Sequence, residues 1–416
     1  MIVDRVPPLP AFSIGRLPRI EFGPGRFELL PEIVARYGGR ALVVTGSRSL
    51  RASGRWGQLR DGFDRAGVSL EELQVAGEPS PELVDEAVAR FHGRDVDVVV
   101  GIGGGSALDT AKAVAGLLLL GSSVLDHLEG VGRGLPYRGP AVPFVAVPTT
   151  AGTGSEATRN AVLSVAGGFK KSFRDERLVA QDAVVDPDLL ATCPPTLIAS
   201  DGMDALTQLI ESYVASGANP FTDALALSGL EAARDGLLAW YEAACAGGAG
   251  KKTGAGAPGG DAAAAAPARM AYAALCSGIT LAQAGLGAAH GLASPLGAFF
   301  PIPHGAACGA VLVAATRVNI AALEAREPGR PALPRYARLG RLLTGRDDLD
   351  DASARDALVT GLAGWTERLQ IRGLADFGVH DADVPRIVAD ARGSSMRTNP
   401  VVLADEEIAG IVRASL

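Results

Sequence analysis

Two histidines stand in one segment, GLGAAHGLASPLGAFFPIPHGAA, at His290 and His304. The chain of 416 residues has only five histidines. Neutral imidazole is the commonest metal ligand, and histidine is the usual general acid–base near neutral pH. Upstream, GMDALTQLIESYV sets Gln208 four residues after Asp204, with Glu211 a further turn along. On a helix all three side chains share a face. This set suits either a mixed nitrogen and oxygen metal site or polar groups satisfying one another between helices.

A second chemistry is written in glycines. The apolar run DVVVGI, 97–102, leads into Gly103-Gly104-Gly105-Ser106 and then ALDTAK. Successive glycines let backbone N–H groups approach a phosphate, and a following helix adds the positive end of its dipole. Gly101-x-Gly103-x-x-Ser106 departs from the dinucleotide fingerprint by ending in serine, but a strand before and a helix after are the right context. Without a ligand, the same stretch is a strand-to-helix turn in which Ser106 and Asp109 form a capping box. A second loop, PTTAGTGSE, follows another apolar run. It carries Thr149, Thr150 and Thr153 to the carboxyl end of a strand, where ligands of parallel sheets bind.

The elements that must position these groups follow from periodicity. Strands at 40–45, 69–75, 97–102 and 143–147 alternate with helices at 50–66, 81–91 and 107–120, with Ser80 as N-cap before Pro81. Such alternation predicts a parallel sheet covered on both faces. From about residue 195 the β-branched runs thin out, and alanine-rich helices at 198–214, 220–244, 268–285 and 356–369 predict an all-α region. The expected organisation is a dinucleotide-binding α/β domain over 1–190 and a helical domain over 191–416. Within the latter, the low-complexity stretch 246–267 reads as a flexible surface loop.

Composition narrows the class. A hydrophobic content of 48% excludes a disordered chain, and a net charge of −7 argues against sequence-independent nucleic-acid binding. The cysteines at 193, 245, 276 and 308 form no CxxC pair, so neither a disulfide scaffold nor a cysteine-rich zinc site is expected. The start, MIVDRVPPLP, lacks the basic and apolar regions of a signal peptide, and no uninterrupted apolar run reaches the roughly 18 residues that cross a membrane. A cytoplasmic protein without nucleic-acid or membrane partners is expected.

GGGSALDTAK, PTTAGTGSE, DPDLL, DALTQLIESYV, GLGAAHGLASPLGAFFPIPHG and NPVVL occur in this order across nearly the whole chain. Together they resemble the iron-containing (group III) alcohol dehydrogenase family. The resemblance implies an N-terminal α/β domain that binds NAD(P), a C-terminal helical domain, and an active site in the cleft between them. It also implies interconversion of an alcohol and an aldehyde, one divalent metal, and assembly as a homodimer or larger homo-oligomer. By position, Gly103 to Ser106 match the pyrophosphate loop, and Thr149, Thr150 and Thr153 match cofactor-facing threonines. Lys170 matches a lysine near the nicotinamide ribose. The family's metal set is one aspartate and three histidines. Asp204, His290 and His304 match three of these, and with them the catalytic role, but Gln208 holds the fourth position. Ser294 stands where the family has a histidine implicated in proton transfer.

An amide oxygen is a weaker donor than an imidazole, so the substitution predicts Fe²⁺ or Zn²⁺ held loosely, or no metal, with His290 and His304 hydrogen-bonding the substrate instead. Family members that prefer NAD commonly carry an aspartate after the first strand. Here Gly46 stands there, followed by Ser47 and Arg48, so NADP(H) is expected to serve at least as well as NAD(H). The leading expectation is an aldehyde reductase. The alternatives are a metal-independent oxo-acid reductase resembling maleylacetate reductases, with Arg159 and Arg397 as carboxylate clamps, a lyase resembling 3-dehydroquinate synthase, and a non-catalytic binding protein.

Overall fold

The two strands at the middle of the sheet, 98–103 and 144–148, are apolar throughout because helices cover both faces. The structure, a computed structural model, describes residues 9–247 and 260–416. Its strands are β1 (Arg19–Phe22), β2 (Arg40–Gly46), β3 (Ser69–Val75), β4 (Val98–Gly103), β5 (Phe144–Pro148), β6 (Asn160–Val165), β7 (Phe169–Arg174) and β8 (Asp182–Val185). In the same half, α1 is Leu30–Ala35, α2 Ser49–Ala52, α3 Arg55–Arg65, α4 Pro81–Phe91 and α5 Gly105–Leu117. Six strands form a parallel sheet in the order β1-β8-β5-β4-β2-β3. Alternate residues divide between two cores. Leu42, Val44, Val99 and Phe144 pack under α4 and α5, while Val43, Val100, Val145 and Val147 pack against Phe27, Leu59 and Phe63.

Register sets the functional edge. Thr45 lies beside Ile102 and Gly103 beside Pro148, so β2, β4 and β5 end level and the loops that follow them are neighbours. The chain runs outward from β2 to β3 and then returns to β4 on the other side of β2. The loops after β2 and β4 therefore flank a topological switch point, where open parallel sheets bind ligands.

Beyond Pro194 the chain is helical: α6 (Pro195–Val214), α7 (Pro220–Cys245), α8 (Gly260–Ala284), α9 (Ala288–Phe299), α10 (His304–Arg326), α11 (Ala332–Thr344), α12 (Asp351–Arg368), α13 (Val384–Asp390) and α14 (Asp405–Arg413). One continuous apolar core joins them. Helix α10 has a mean hydropathy of 1.7 over 18 residues, enough by length and composition alone to cross a membrane, although no uninterrupted apolar run announced it. Most of it is buried against α6, α9 and α12, so its apolarity is that of a central core helix.

Two expectations need correction, and one element was not foreseen. The helix expected at 50–66 is broken between α2 and α3, because Gly54 adopts φ +74, a left-handed conformation that ends one helix before the next begins. The loop expected over 246–267 is helical from Gly260, where the run Ala262 to Ala266 has the highest intrinsic helix propensity. Pro267 sits in its second turn and forfeits one backbone hydrogen bond. Residues 248–259 of that stretch lie outside the described residues. The antiparallel hairpin β6–β7, with Gly167 at φ +72 in its turn, went unread because its short strands mix polar and apolar residues.

Candidate active site and metal centre

The glycine-rich turn is built by close packing. A Cβ on Gly103 would lie 2.6 Å from Cβ of Ala107, and one on Gly105 2.8 Å from Cγ2 of Thr153. A Cβ on Gly104 would meet Thr150 at 3.1 Å. Thr149 N–H donates to Gly103 O at 2.9 Å. Across the switch point, Gly46 N is 3.3 Å from the same Gly103 Cβ position, and Gln74 Nε2 donates to Ser47 O at 2.9 Å. The fold thus brings Gly46, Ser47, Gly103, Gly104, Gly105, Thr149, Thr150 and Thr153 to one edge. Helix α5 starts at Gly105, so Ser106 lies in its first turn with the free N–H groups that favour an anion.

The capping box expected from Ser106 and Asp109 does not form. The N-cap is Gly104, with no side-chain cap. Asp109 instead faces inward, where Oδ1 accepts from Ser155 Oγ at 2.5 Å and Oδ2 from Val162 N at 2.9 Å. One turn on, Lys112 is fully buried, and its Nζ lies 2.8 Å from Ser155 O, 2.8 Å from Thr158 Oγ1 and 2.9 Å from Asn160 O. These two side chains clamp the threonine loop onto α5.

Glu156, 2% exposed, sits in the same clamp. Burial raises its carboxyl to about 7 against a backbone hydrogen bond and the pull of Lys112. Its folded pKa is above its unfolded value of 4.5, so the folded form binds more protons between the two. Its contribution to stability is therefore present below pH 4.5 and is lost as pH rises through 7. Glu156→Gln, neutral at every pH, should match wild-type stability near pH 5. At pH 8 it should exceed wild type by roughly 1–3 kcal/mol, read from urea unfolding at both pH values. Equal wild-type and variant stability at pH 8 would refute this.

The second cluster lies in the helical half. Helix α6 supplies Asp204, α9 supplies His290, and the first residue of α10 is His304. Glu211, two turns after Asp204, caps α9. It accepts from Ala289 N at 2.7 Å and pairs with His290 Nδ1 at 2.7 Å. That bond places the Nδ1 proton toward Glu211, so that in the neutral imidazole the Nε2 lone pair, 3.2 Å from Asp204 Oδ1, is left for a metal. His304 Nε2 is 3.9 Å from the same Asp204 oxygen, and its Nδ1 is buried without a partner among the described residues. Burial disfavours the Asp204 carboxylate, but His304 and His290 outweigh it and hold its pKa low. Burial also opposes protonation of His290, and Cys308, Asp204 and Glu211 together overcome it and raise its pKa well above 6.5.

The fourth expected donor, Gln208, has its amide oxygen engaged by a neighbouring helix. Ser277 Oγ on α8 donates to Gln208 Oε1 at 2.6 Å. Cys308, one turn along α10 from His304, faces the cluster instead. Donor atoms of Asp204, His290, His304 and Cys308 all lie within 4.8 Å of one another. One carboxylate oxygen, two imidazole nitrogens and a sulfur at this separation fit a single divalent metal. Sequence reading missed Cys308 because it looked for cysteine pairs. The available signal was the four-residue spacing from His304, which aligns both side chains on one helix face.

Lys170 on β7 packs beside Gly297 of α9 and pairs with Glu78 at 3.2 Å. It lies close enough to His304 to lower that imidazole's pKa, after burial, which is the larger cause. Ser294 donates to Lys170 O at 3.2 Å and so holds β7 against α9. Arg159 pairs with Glu176, and Arg397 lies in the short turn of helix at Met396–Thr398.

Residues 18–187 match the family profile described as iron-containing alcohol dehydrogenase, and 198–416 match the C-terminal profile of the same family. Long-chain-alcohol dehydrogenase 1 of Geobacillus thermodenitrificans is 38% identical over 205 residues, 49% of this chain and 51% of that protein. The alignment with the NAD-dependent methanol dehydrogenase of Bacillus methanolicus likewise spans about half of each. Lactaldehyde reductase of Escherichia coli K12 is 31% identical over 379 residues, 89% of this chain and 90% of that one. The crystal structure of a 1,3-propanediol oxidoreductase superposes with a TM-score of 0.84 at 27% identity, covering 98% and 100% of the two chains. With a parallel sheet ending in a glycine turn, a helical half carrying the donor cluster, and matches along nearly its whole length, this chain belongs to the iron-containing alcohol dehydrogenase family.

Proposed function

We propose that the protein is an NAD(P)-dependent alcohol dehydrogenase that works chiefly as an aldehyde reductase, in the cleft between the sheet edge and the helical half. The observation that carries this reading is the contact joining the two clusters. A Cβ on Gly152, in the threonine loop, would lie 2.6 Å from Cβ of Asp201, one turn before Asp204 on α6. The coenzyme loop and the donor cluster are therefore held in fixed relation by adjacent backbone. When bound, NAD(P)H supplies the hydride and a divalent metal a Lewis acid for the carbonyl oxygen.

The chain's own residues divide the remaining work. Gly103, Gly104, Gly105 and Ser106 would present backbone N–H groups to the pyrophosphate, and Thr149, Thr150 and Thr153 line the same edge. Lys170, beside α9 and near His304, would lie at the nicotinamide end. Asp204, His290 and His304 would hold the metal, with Glu211 fixing the His290 tautomer. Ser294, engaged with Lys170 O, takes no proton-transfer role, so the proton for the product alcohol comes from another group or from solvent. Relatives named as lactaldehyde reductase and as an NADPH-dependent butanol dehydrogenase, from Clostridium saccharobutylicum, support a small uncharged aldehyde, and one named as a 4-hydroxybutyrate dehydrogenase, from Cupriavidus necator, an anionic one. A panel of aliphatic, aromatic and carboxylated aldehydes should give net NAD(P)H consumption at neutral pH, faster than the reverse oxidation. Coenzyme that cycles without net change would indicate a lyase, and faster turnover of a 4-oxo acid such as maleylacetate an oxo-acid reductase.

The coenzyme preference follows from the end of β2. Gly46 carries no carboxylate to repel a 2′-phosphate, and Ser47 and Arg48 follow it. The neighbouring acid, Glu72 on β3, is occupied by Arg51 at 2.8 Å and Thr45 at 3.1 Å. NADPH should therefore serve at least as well as NADH. A Cβ at Gly46 meets nothing within 4 Å among the described residues, so Gly46→Asp can be built there without strain. It should lower kcat/KM for NADPH at least about tenfold and spare NADH, by repulsion of roughly 1.4 kcal/mol or more. A wild-type preference for NADH above tenfold would refute the assignment.

A further inference from the structure

We propose that Cys308 is the fourth ligand of the metal, in place of the imidazole this chain lacks, so that the site is a thiolate-containing one for Zn²⁺ or Co²⁺. The inference rests on a metal in the proposed active site but not on the identity of the aldehyde. Cys308 is fully buried on α10 and lies within 4.8 Å of donor atoms of Asp204, His290 and His304. Its sulfur is 3.9 Å from His304 Nε2, a long hydrogen-bond contact that leaves room for an ion between the two atoms. Its place one helical turn after His304 fixes this approach, because residues four apart on a helix stack over one face. Gln208, by contrast, has its amide oxygen engaged by Ser277 on α8.

The exchange alters the chemistry of the site. Aspartate with three neutral imidazoles carries one negative charge, whereas aspartate with two imidazoles and a thiolate carries two, which neutralises a divalent ion. Metal binding takes the proton from Cys308 and releases it to solvent. Thiolate sulfur favours Zn²⁺ and Co²⁺ over harder ions. The neutral complex is a weaker Lewis acid than the cationic one. The thiolate also makes the affinity of the site fall steeply at acid pH, since a proton competes for the sulfur. Expectations based on Gln208 alone counted one donor too few.

Gln208 is the competing fourth ligand, since rotation of its amide would turn Oε1 back toward the cluster. Absorption of the Co²⁺-loaded protein separates the two, because only sulfur ligation gives an intense thiolate-to-cobalt charge-transfer band in the near ultraviolet. The band is expected in wild type and in Gln208→Ala, and is expected to vanish in Cys308→Ser, whose side chain is nearly isosteric. Zn²⁺ affinity, titrated against a chromophoric chelator, should fall at least about tenfold in Cys308→Ser and less in Gln208→Ala. A Co²⁺ spectrum without the band, or affinity lost in Gln208→Ala and kept in Cys308→Ser, would overturn the proposal. Neither readout depends on turnover, so an inactive protein that shows the band would fail the aldehyde reductase reading alone.

Discussion

Asp204→Asn is expected to lower kcat/KM for aldehyde reduction by about a thousandfold or more, with little change in the fold. Asp204 is 1% exposed and lies 3.2 Å from His290 Nε2 and 3.9 Å from His304 Nε2, so one carboxylate serves both imidazoles. Asparagine keeps the shape and removes the charge. Its weak oxygen leaves a divalent ion with one anionic donor fewer, and its NH₂ group gives His290 Nε2 a hydrogen bond that competes with a metal. Asp204 would act through the metal it holds, and loss of the ion that stabilises charge developing on the substrate oxygen costs about a thousandfold or more. Steady-state kinetics, metal content and thermal unfolding should be measured on the same preparation. Activity within tenfold of wild type would remove Asp204 from the active site.

The other large effect is expected far from any reacting atom. Lys112→Met should lower conformational stability by about 3–5 kcal/mol and raise the KM for coenzyme several-fold. Lys112 has no exposed side-chain surface, and its ammonium lies among oxygens of Ser155, Thr158 and Asn160, 3.8 Å from Asp109. Burial has already lowered its pKa to about 8, opposed by Asp109 and Glu156. Methionine fills the volume but leaves the Asp109 carboxylate buried without its cation. The double variant Lys112→Met with Asp109→Asn should recover part of the loss, because it removes the stranded charge together with its partner. Urea unfolding and coenzyme titration test both halves. A single variant as stable as wild type would mean that the clamp does not hold the loops.

The alternation of β-branched runs with helices was enough to read the parallel sheet and the helical half. Positions buried on both faces must be apolar throughout, and few other arrangements make them so. The glycine turn was equally plain, because Gly103, Gly104 and Gly105 stand where a side chain would collide with Ala107, Thr150 or Thr153. Short range was also where sequence reading failed. The break at Gly54 and the hairpin about Gly167 each depend on one left-handed glycine among many, and nothing local marks which glycine turns the chain.

The types and order of the site residues, and the loss of one imidazole at Gln208, belong to the amino-acid sequence, since ligand chemistry is a property of side chains. Which of them meet is settled by packing between elements far apart in the chain. Asp109 could cap its own helix or reach across to Ser155 and Val162, and only the seating of β6 beside α5 chose the second. Gln208 and Cys308 are both within reach of a metal by helix geometry. The approach of α8 brings Ser277 to the amide, and the crossing of α10 over α6 brings the thiol to Asp204. Side-chain spacing along one helix fixes a face, and the angle and distance at which helices cross decide what that face touches.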